Sequence, residues 1–180
     1  MKKYDCIFLD RDGTLNPDPG YIKNINEFQF YNFTIESLIR LAKNRNRFCI
    51  ISNQSGISRG LITKEDLDKI HSHIKKEFLR YGIPLLEIII STDHPNMATE
   101  RRKPGTGMFL EAQERFSVSL KKSLMIGDSC GDMESARILG MDRMLVLTGR
   151  GMKTFSSIQK KNSPTYIVKN LCYGADILCH

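Results

Sequence analysis

The sequence predicts an α/β protein, a three-layer Rossmann-like parallel sheet with helices on both faces. Three observations carry that expectation. Short apolar runs alternate along the chain with longer stretches of helical period, and strands that alternate with helices pair in parallel through right-handed crossovers. The runs are hydrophobic almost without interruption, as strands covered on both faces must be. The chain has 180 residues, 41% hydrophobic and 26% charged, enough for one core and short for two. A single domain over residues 1–180 is therefore expected.

The elements follow in order. Cys6–Leu9 is brief, apolar and closed by Asp10, and reads as the first strand. Residues 48–51, 86–90, 124–126 and 144–147 repeat that pattern and read as the second to fifth strands. Thr34–Lys43, Lys64–Arg80, Gly107–Phe116 and residues 133–139 have helical spacing. In the second of these Leu67, Ile70, Ile74 and Phe78 recur at steps of three and four. Thr63 is a good N-cap for it, with Asp66 three residues on. Residues 151–164 are polar and read as irregular. A short strand at Tyr166–Val168 and a last helical turn or two from Leu171 close the sequence.

Composition excludes several classes. No apolar run approaches the roughly 20 residues that span a bilayer, and the first residues lack the pattern of a signal peptide, so no membrane association and a cytoplasmic location are expected. The five cysteines are scattered without a C-x-x-C pair and read as reduced thiols. The net charge of +7 suits an anionic partner without choosing one. No arginine-rich tract or aromatic-laced basic stripe argues for nucleic acid, which is not expected as a partner.

In a parallel sheet ligands bind beyond the carboxyl ends of the strands, and the residues at those ends are chemically loaded. Asp10, Arg11, Asp12 and Gly13 follow the first strand, Ser52 and Asn53 the second, and Ser91 the third, with Arg102 and Lys103 beyond it. Gly127 and Asp128 follow the fourth, with Asp132 close behind. Crowded carboxylates repel one another unless a cation joins them, and hard oxygen ligands suit Mg²⁺, which usually shares its shell with a substrate phosphate. Lys103 and the amides around Ser52 and Asn53 would cradle that phosphate. This is the residue set of a phosphoryl-transfer centre. Asp10 is the expected nucleophile, forming an aspartyl-phosphate. Asp12 is the expected proton donor and later base, which requires surroundings that disfavour its ionisation. Asp128, Asp10 and the main-chain carbonyl of Asp12 would hold the metal, and Lys103 would offset charge on the transferring group. Asp132 reads equally as a cap of the next helix or as support for the metal. His71 and His73, two apart on a helix, cannot chelate together and are expected on the surface.

"DRDGTL" at residues 10–15 resembles the first motif of the haloacid dehalogenase superfamily of aspartate-nucleophile phosphatases. Ser52, Lys103 and Asp128 stand where its other motifs should. "DRDGTLN", "DPGY" at 18–21, "SNQSGISRG" at 52–60, "RKPGTGM" at 102–108 and "GDSCGDM" at 127–133 are similar to the D-glycero-D-manno-heptose 1,7-bisphosphate 7-phosphatases, with histidinol-phosphate phosphatases as near relatives. The resemblance weakens after about residue 151. It implies Mg²⁺ at Asp10, Asp12 and Asp128, with Ser52 and Lys103 stabilising the phosphoryl group and Arg102 helping to recognise the substrate. It also implies a substrate pocket lined by Asp18, Pro19, Gly20, Tyr21, Asn53, Gln54, Ser55 and Ser129. The implied substrate is a small phosphorylated sugar, cleaved by a monomer or weak homodimer. The same chemistry on another monoester, such as histidinol phosphate, and, more remotely, a nucleic-acid 3′-phosphatase or binding protein are the alternatives.

Two departures stand out. Members often carry a zinc-stapled loop, but the ligand positions here read Ser91, Asp93, Thr99 and Arg101, so no structural zinc is expected. The stretches 13–33 and 91–101 are too short for a folded cap domain, which makes the expected enzyme cap-less, with an open site.

Overall fold

A computed structural model describes residues 3–158 and 163–179. Its centre is a six-stranded sheet in which every pairing is parallel, ordered β3-β2-β1-β4-β5-β6. The strands are β1 (Cys6–Leu9), β2 (Arg47–Asn53), β3 (Leu85–Ser91), β4 (Leu124–Gly127), β5 (Asp142–Val146) and β6 (Tyr166–Val168). The helices are α1 (Thr34–Lys43), α2 (Lys64–Arg80), α3 (Gly107–Phe116), α4 (Cys130–Ile138), α5 (Gly151–Ser157) and α6 (Leu171–Cys179).

Strand pleating divides the core into two layers. Ile7, Leu9, Phe48, Ile50, Leu124 and Ile126 point to one face and pack with Leu38 and Leu41 of α1, Ile70 and Ile74 of α2, and Leu171 and Leu178 of α6. Their neighbours Cys6, Phe8, Cys49, Ile51 and Met125 point to the other, against Met108, Phe109 and Ala112 of α3 and Ala136 of α4. Burying each large apolar side chain stabilises the fold by about 1.5–3 kcal/mol. The near-continuous hydrophobic strands thus have the physical reason expected of them, a covered layer on each side. Phe8 and Phe109 meet edge to face, 5.1 Å apart.

The chain lays down β1, β2 and β3 outward in one direction, then crosses back to place β4 on the other side of β1. That reversal leaves a crevice between the ends of β1 and β4, where a ligand site belongs. Residues 13–33 and 92–106 contain only single 3₁₀ turns, at Ile25–Glu27 and Pro95–Met97, and neither folds into a cap. Among the described residues no helix is long and apolar enough to cross a membrane.

Most elements fall within about two residues of where periodicity predicts, and three differences have an evident cause. Residues 151–157 form α5 although they read as irregular; only Gly151 and Thr154 are buried there, so the helix carries no apolar stripe to betray it. The rest of that stretch includes residues 159–162, outside the described residues. Helix α4 begins at Cys130, three residues before the apolar period starts, because Ser129 and Asp132 close a capping box. Strand β2 runs on through Ser52 and Asn53, which pair with Ile90 and Ser91. The cap of α2 is as expected, with Thr63 Oγ1 accepting from Asp66 N at 3.1 Å.

The two histidines of α2 are not simply exposed. His73 stacks near Phe30 and meets Phe28 edge-on. His71 is half-buried, its Nε2 finds no hydrogen-bond partner among the described residues, and burial with the Arg11 and Lys75 charges pushes its pKa down to about 4. Between its ordinary 6.5 and 4 the unfolded chain binds a proton that the native state refuses, so stability falls as pH drops through that window. His71→Gln should therefore shrink the stability lost between pH 7 and pH 4 by about 2–3 kcal/mol, read from urea melts at the two pH values.

Candidate active site

At the carboxyl edge of the sheet, astride the β1/β4 crevice, lies a polar cavity of about 190 Å³. A larger depression along α2 is lined by alternating lysines and acids, including Lys64, Asp68 and Lys76, and gathers no convergent chemistry. Charge, and not size, locates the site.

Each group is placed by an element end. Asp10 follows β1 directly, its N–H still bonded to Ile126 O on β4 at 3.0 Å. Asp128 follows β4. Lys103 arrives from the loop after β3 and is clasped by Asn53, whose Oδ1 accepts from Lys103 N and whose Nδ2 donates to Lys103 O, both at 3.0 Å. The Lys103 ammonium is buried, 2.6 Å from Asp10 Oδ1, 2.6 Å from Asp132 Oδ1 and 2.7 Å from Ile51 O. Burial works against its charge, but Asp10 and Asp132 outweigh it and raise its pKa further.

Asp10, Asp128 and Asp132 each offer a ligand oxygen, all within 4.8 Å of one another. One lysine does not neutralise three carboxylates. Burial pushes Asp10 well above the usual carboxylate range; Lys103 pulls it back, and the Asp132 and Asp128 charges add to the rise. Asp128 is pushed up to about 7, by burial and then by Asp132. A hard cation among these oxygens relieves the repulsion, so the residues fit Mg²⁺. Asp132 serves as both a helix-cap partner and a cluster member. One of its oxygens takes Ser129 N–H and O–H, at 3.0 and 2.6 Å, while the other faces Lys103.

Two glycines make room for Asp128. Gly13 (φ +83°) and Gly149 (φ +54°) sit in the left-handed region, and a Cβ on either would fall about 2 Å from Asp128 Oδ2, at 2.1 and 2.2 Å. The same oxygen accepts from Arg150 N at 2.7 Å. The loop after β5 is thereby docked on the cluster.

Asp12 corrects an expectation. Its carboxylate is gripped by Arg11 Nε and Nη2 (3.0 and 2.7 Å), Asn16 Nδ2 (2.9 Å) and Gln54 Nε2 (2.9 Å). Burial raises its pKa, but the Arg11 charge and these hydrogen bonds prevail and leave it lowered. The surroundings favour its ionisation, where the donor role asked for the reverse. Nor does its carboxylate belong to the cation cluster.

Of the other expected site residues, Asp18, Gly20, Tyr21, Asn53, Ser55, Arg102 and Ser129 line the cavity. Three do not. Pro19 is exposed on its loop. Gln54 is buried and bridges Asp12, Arg11 and Ser52 Oγ, positioning the acid and not facing a substrate. Ser52 is also buried, its Oγ accepting from Gln54 Nε2 at 2.8 Å. Arg11, Asn16 and Arg150 went unassigned in the sequence. A signal existed for Arg11, since an arginine between two carboxylates just past a buried strand must pair to be buried. Arg150 had none, lying where the resemblance fades.

The loop that reads as zinc-less is held by hydrogen bonds among the same four positions. Asp93 Oδ2 accepts from Thr99 N and Oγ1 (2.9 and 2.6 Å), and Ser91 Oγ accepts from Asp93 N (3.2 Å). Thr99 Oγ1 accepts from Arg101 N (3.1 Å), and Arg101 Nε donates to Ile90 O (2.8 Å). Arg102 Nη1 donates to Asp93 O at 3.2 Å, so this clip delivers Arg102 to the cavity rim.

The HAD-hydrolase-like family model matches residues 100–173, in keeping with a sheet and site of the HAD class. A D-glycero-beta-D-manno-heptose-1,7-bisphosphate 7-phosphatase of Photorhabdus laumondii is 36% identical over 157 residues, 83% of this chain and 84% of that protein. The Escherichia coli K12 protein of the same description is 32% identical over 83% of this chain and 82% of its own length. A crystal structure of the D,D-heptose 1,7-bisphosphate phosphatase from B. bronchiseptica, complexed with magnesium and phosphate, superposes with a TM-score of 0.87 at 29% identity, covering 99% of this chain and 98% of that one. The chain belongs to the heptose-bisphosphate phosphatase family of HAD-like hydrolases.

Two outcomes follow from the geometry. Asp128→Asn removes a charge from an overcrowded cluster, and should stabilise the metal-free protein by about 1–2 kcal/mol in EDTA while abolishing the Mg²⁺-dependent rise in melting temperature. Asp93→Ala opens the clip: limited proteolysis should cut faster within residues 92–101 while global stability moves by no more than about 0.5 kcal/mol.

Proposed function

We propose that this chain hydrolyses the 7-phosphate of D-glycero-D-manno-heptose 1,7-bisphosphate, with Asp10 as nucleophile. The observation that carries the reading is the convergence of Asp10, Asp128 and Lys103 at the β1/β4 switch point, in a family whose named relatives cleave that phosphate. Asp10 Oδ attacks phosphorus; the bond from phosphorus to the sugar C7 oxygen breaks, and the proton for that oxygen comes from Asp12. Water then attacks the aspartyl-phosphate, Asp12 takes its proton, and inorganic phosphate leaves with Asp10 restored.

Mg²⁺, held by Asp10, Asp128 and the Asp12 main-chain carbonyl, would supply charge neutralisation to the transferring phosphoryl oxygens. Lys103 offsets the same charge from the other side, in a buried setting where such stabilisation is strongest. Ser52 remains the second phosphoryl-stabilising group of this reading, which requires its Oγ, now on Gln54 behind the cavity lining, to turn to the phosphoryl group. Arg11, Asn16 and Gln54 hold Asp12 ionised, the form that takes a proton from water. As donor it first takes up a proton from solvent, when the negative charge of the incoming substrate raises the Asp12 pKa. The short loops in place of a cap leave the cavity open to a small sugar phosphate, and the protein is read as one domain that acts as a monomer or weak homodimer on a soluble substrate in the cytoplasm.

Phosphate release from heptose 1,7-bisphosphate, heptose 7-phosphate and histidinol phosphate tests the reading. The bisphosphate should be preferred. Activity should vanish with EDTA, return with Mg²⁺, and fall by at least about 10⁴-fold in Asp10→Asn. Equal turnover of all three substrates would reject the heptose assignment and leave the chemistry.

A further inference from the structure

Three cations line the cavity: Lys103, Arg102 and Arg150. Lys103 is buried and committed to Asp10 and Asp132. The two arginines stand at the rim. Arg102 is set there by the loop clip, and burial together with the like charges of Arg59 and Arg150 lowers its pKa, against the pull of Asp93 and Tyr21. Guanidinium groups held in mutual repulsion form a place for an anion.

Arg150 combines a fixed backbone with an exposed side chain. Its N–H is spent on Asp128 Oδ2, Thr148 Oγ1 two residues earlier donates to Gly13 O at 2.6 Å, and Gly151 N bonds back to Thr148 O at 2.8 Å. The Cα therefore cannot drift from the cation cluster. The side chain, 69% exposed, reaches back over the cavity to Asp18 through Nε, at 3.2 Å. A single exposed contact of that kind is worth little, and a doubly charged phosphate offering two oxygens to the planar guanidinium outcompetes it.

A sugar bisphosphate gives that arrangement a purpose. With one phosphoryl group against Asp10 and Lys103 on the floor, the sugar fills a cavity of about 190 Å³ and its other phosphate emerges at the rim. We infer that Arg150 is a specificity-determining residue that leaves Asp18 to clamp the distal, uncleaved phosphate together with Arg102. The inference rests on the bisphosphate reading and deepens it. Asp18 keeps the arginine over the cavity until the substrate's distal phosphate replaces it.

The test compares kcat/KM on heptose 1,7-bisphosphate and heptose 7-phosphate, which differ only in the distal phosphate, for wild type, Arg150→Ala and Arg150→Lys. In Arg150→Ala the preference for the bisphosphate should collapse by at least about tenfold, mainly through KM, the loss expected for one charge-assisted contact. Arg150→Lys keeps the charge without the fork and should fall between the two. Parallel losses on both substrates would show that the Arg150 side chain acts only through Asp18 and the shared part of the site, and an unchanged preference would show that it does not meet the phosphate; either overturns the inference and leaves the phosphatase reading standing. A wild type that prefers the bisphosphate no more than the monophosphate removes the distal site itself. A wild type that releases phosphate from neither overturns the phosphatase reading and this inference together.

Discussion

A buried ammonium holds the carboxyl edge of this protein together. Lys103 touches Asp10 after β1, Asp132 on α4 and the Ile51 carbonyl of β2, while Asn53 clasps its backbone. Three separate segments meet on one residue. Taking such charges out of water costs several kcal/mol each, and the pairings repay it only while every partner is present; deleting one from a buried group of this kind typically costs about 3–5 kcal/mol. The loop after β3 has no strand to follow and no cap to lean on. Its position is set by that ion cluster at one end and by the Asp93–Thr99 clip at the other.

The cluster is also deliberately unbalanced. Three carboxylates face one lysine, and two of the three are pushed toward their neutral forms. A fold shaped for stability alone would not concentrate them, and they gather where a cation and a phosphate can use them. The glycines 13 and 149 show how tightly the arrangement is packed, since a methyl group on either would strike Asp128. Asp12, two residues from Asp10, lives in a different electrostatic setting, with Arg11, Asn16 and Gln54 absorbing its charge. Two neighbouring carboxylates thus acquire different proton affinities from their surroundings, Asp10 raised and Asp12 lowered.

Much of this was legible along the chain. Asp10 and Asp128 are legible because each stands at the end of a strand that periodicity exposes, and Lys103 because it lies in the loop that follows the third strand; a parallel sheet brings strand ends to one edge. Gln54 departs from its expected place for the opposite reason: its neighbours in sequence, Asn53 and Ser55, reach the cavity, while its own side chain turns to Asp12, a contact 42 residues away. The expected destabilised anion at Asp12 failed likewise, because its carboxylate is shared with Asn16 and Gln54 as well as the adjacent Arg11. Arg150 and α5 left no trace in the pattern, since an exposed arginine before a helix with no apolar stripe looks like any polar linker.

The amino-acid order alone set the strands, five of the helices and the roster of charged groups at the strand ends. Those depend on side-chain period and on caps a few residues apart, which act locally in any context. The fold decided which of those charges became partners and which proton affinities resulted, because electrostatic energies inside a protein depend on burial and through-space distance. It also determined that a hydrogen-bonded clip among Ser91, Asp93, Thr99 and Arg101 delivers Arg102, and that a backbone N–H from residue 150 steadies a carboxylate at residue 128. Neither relation has a sequence period, so neither exists until the chain has closed.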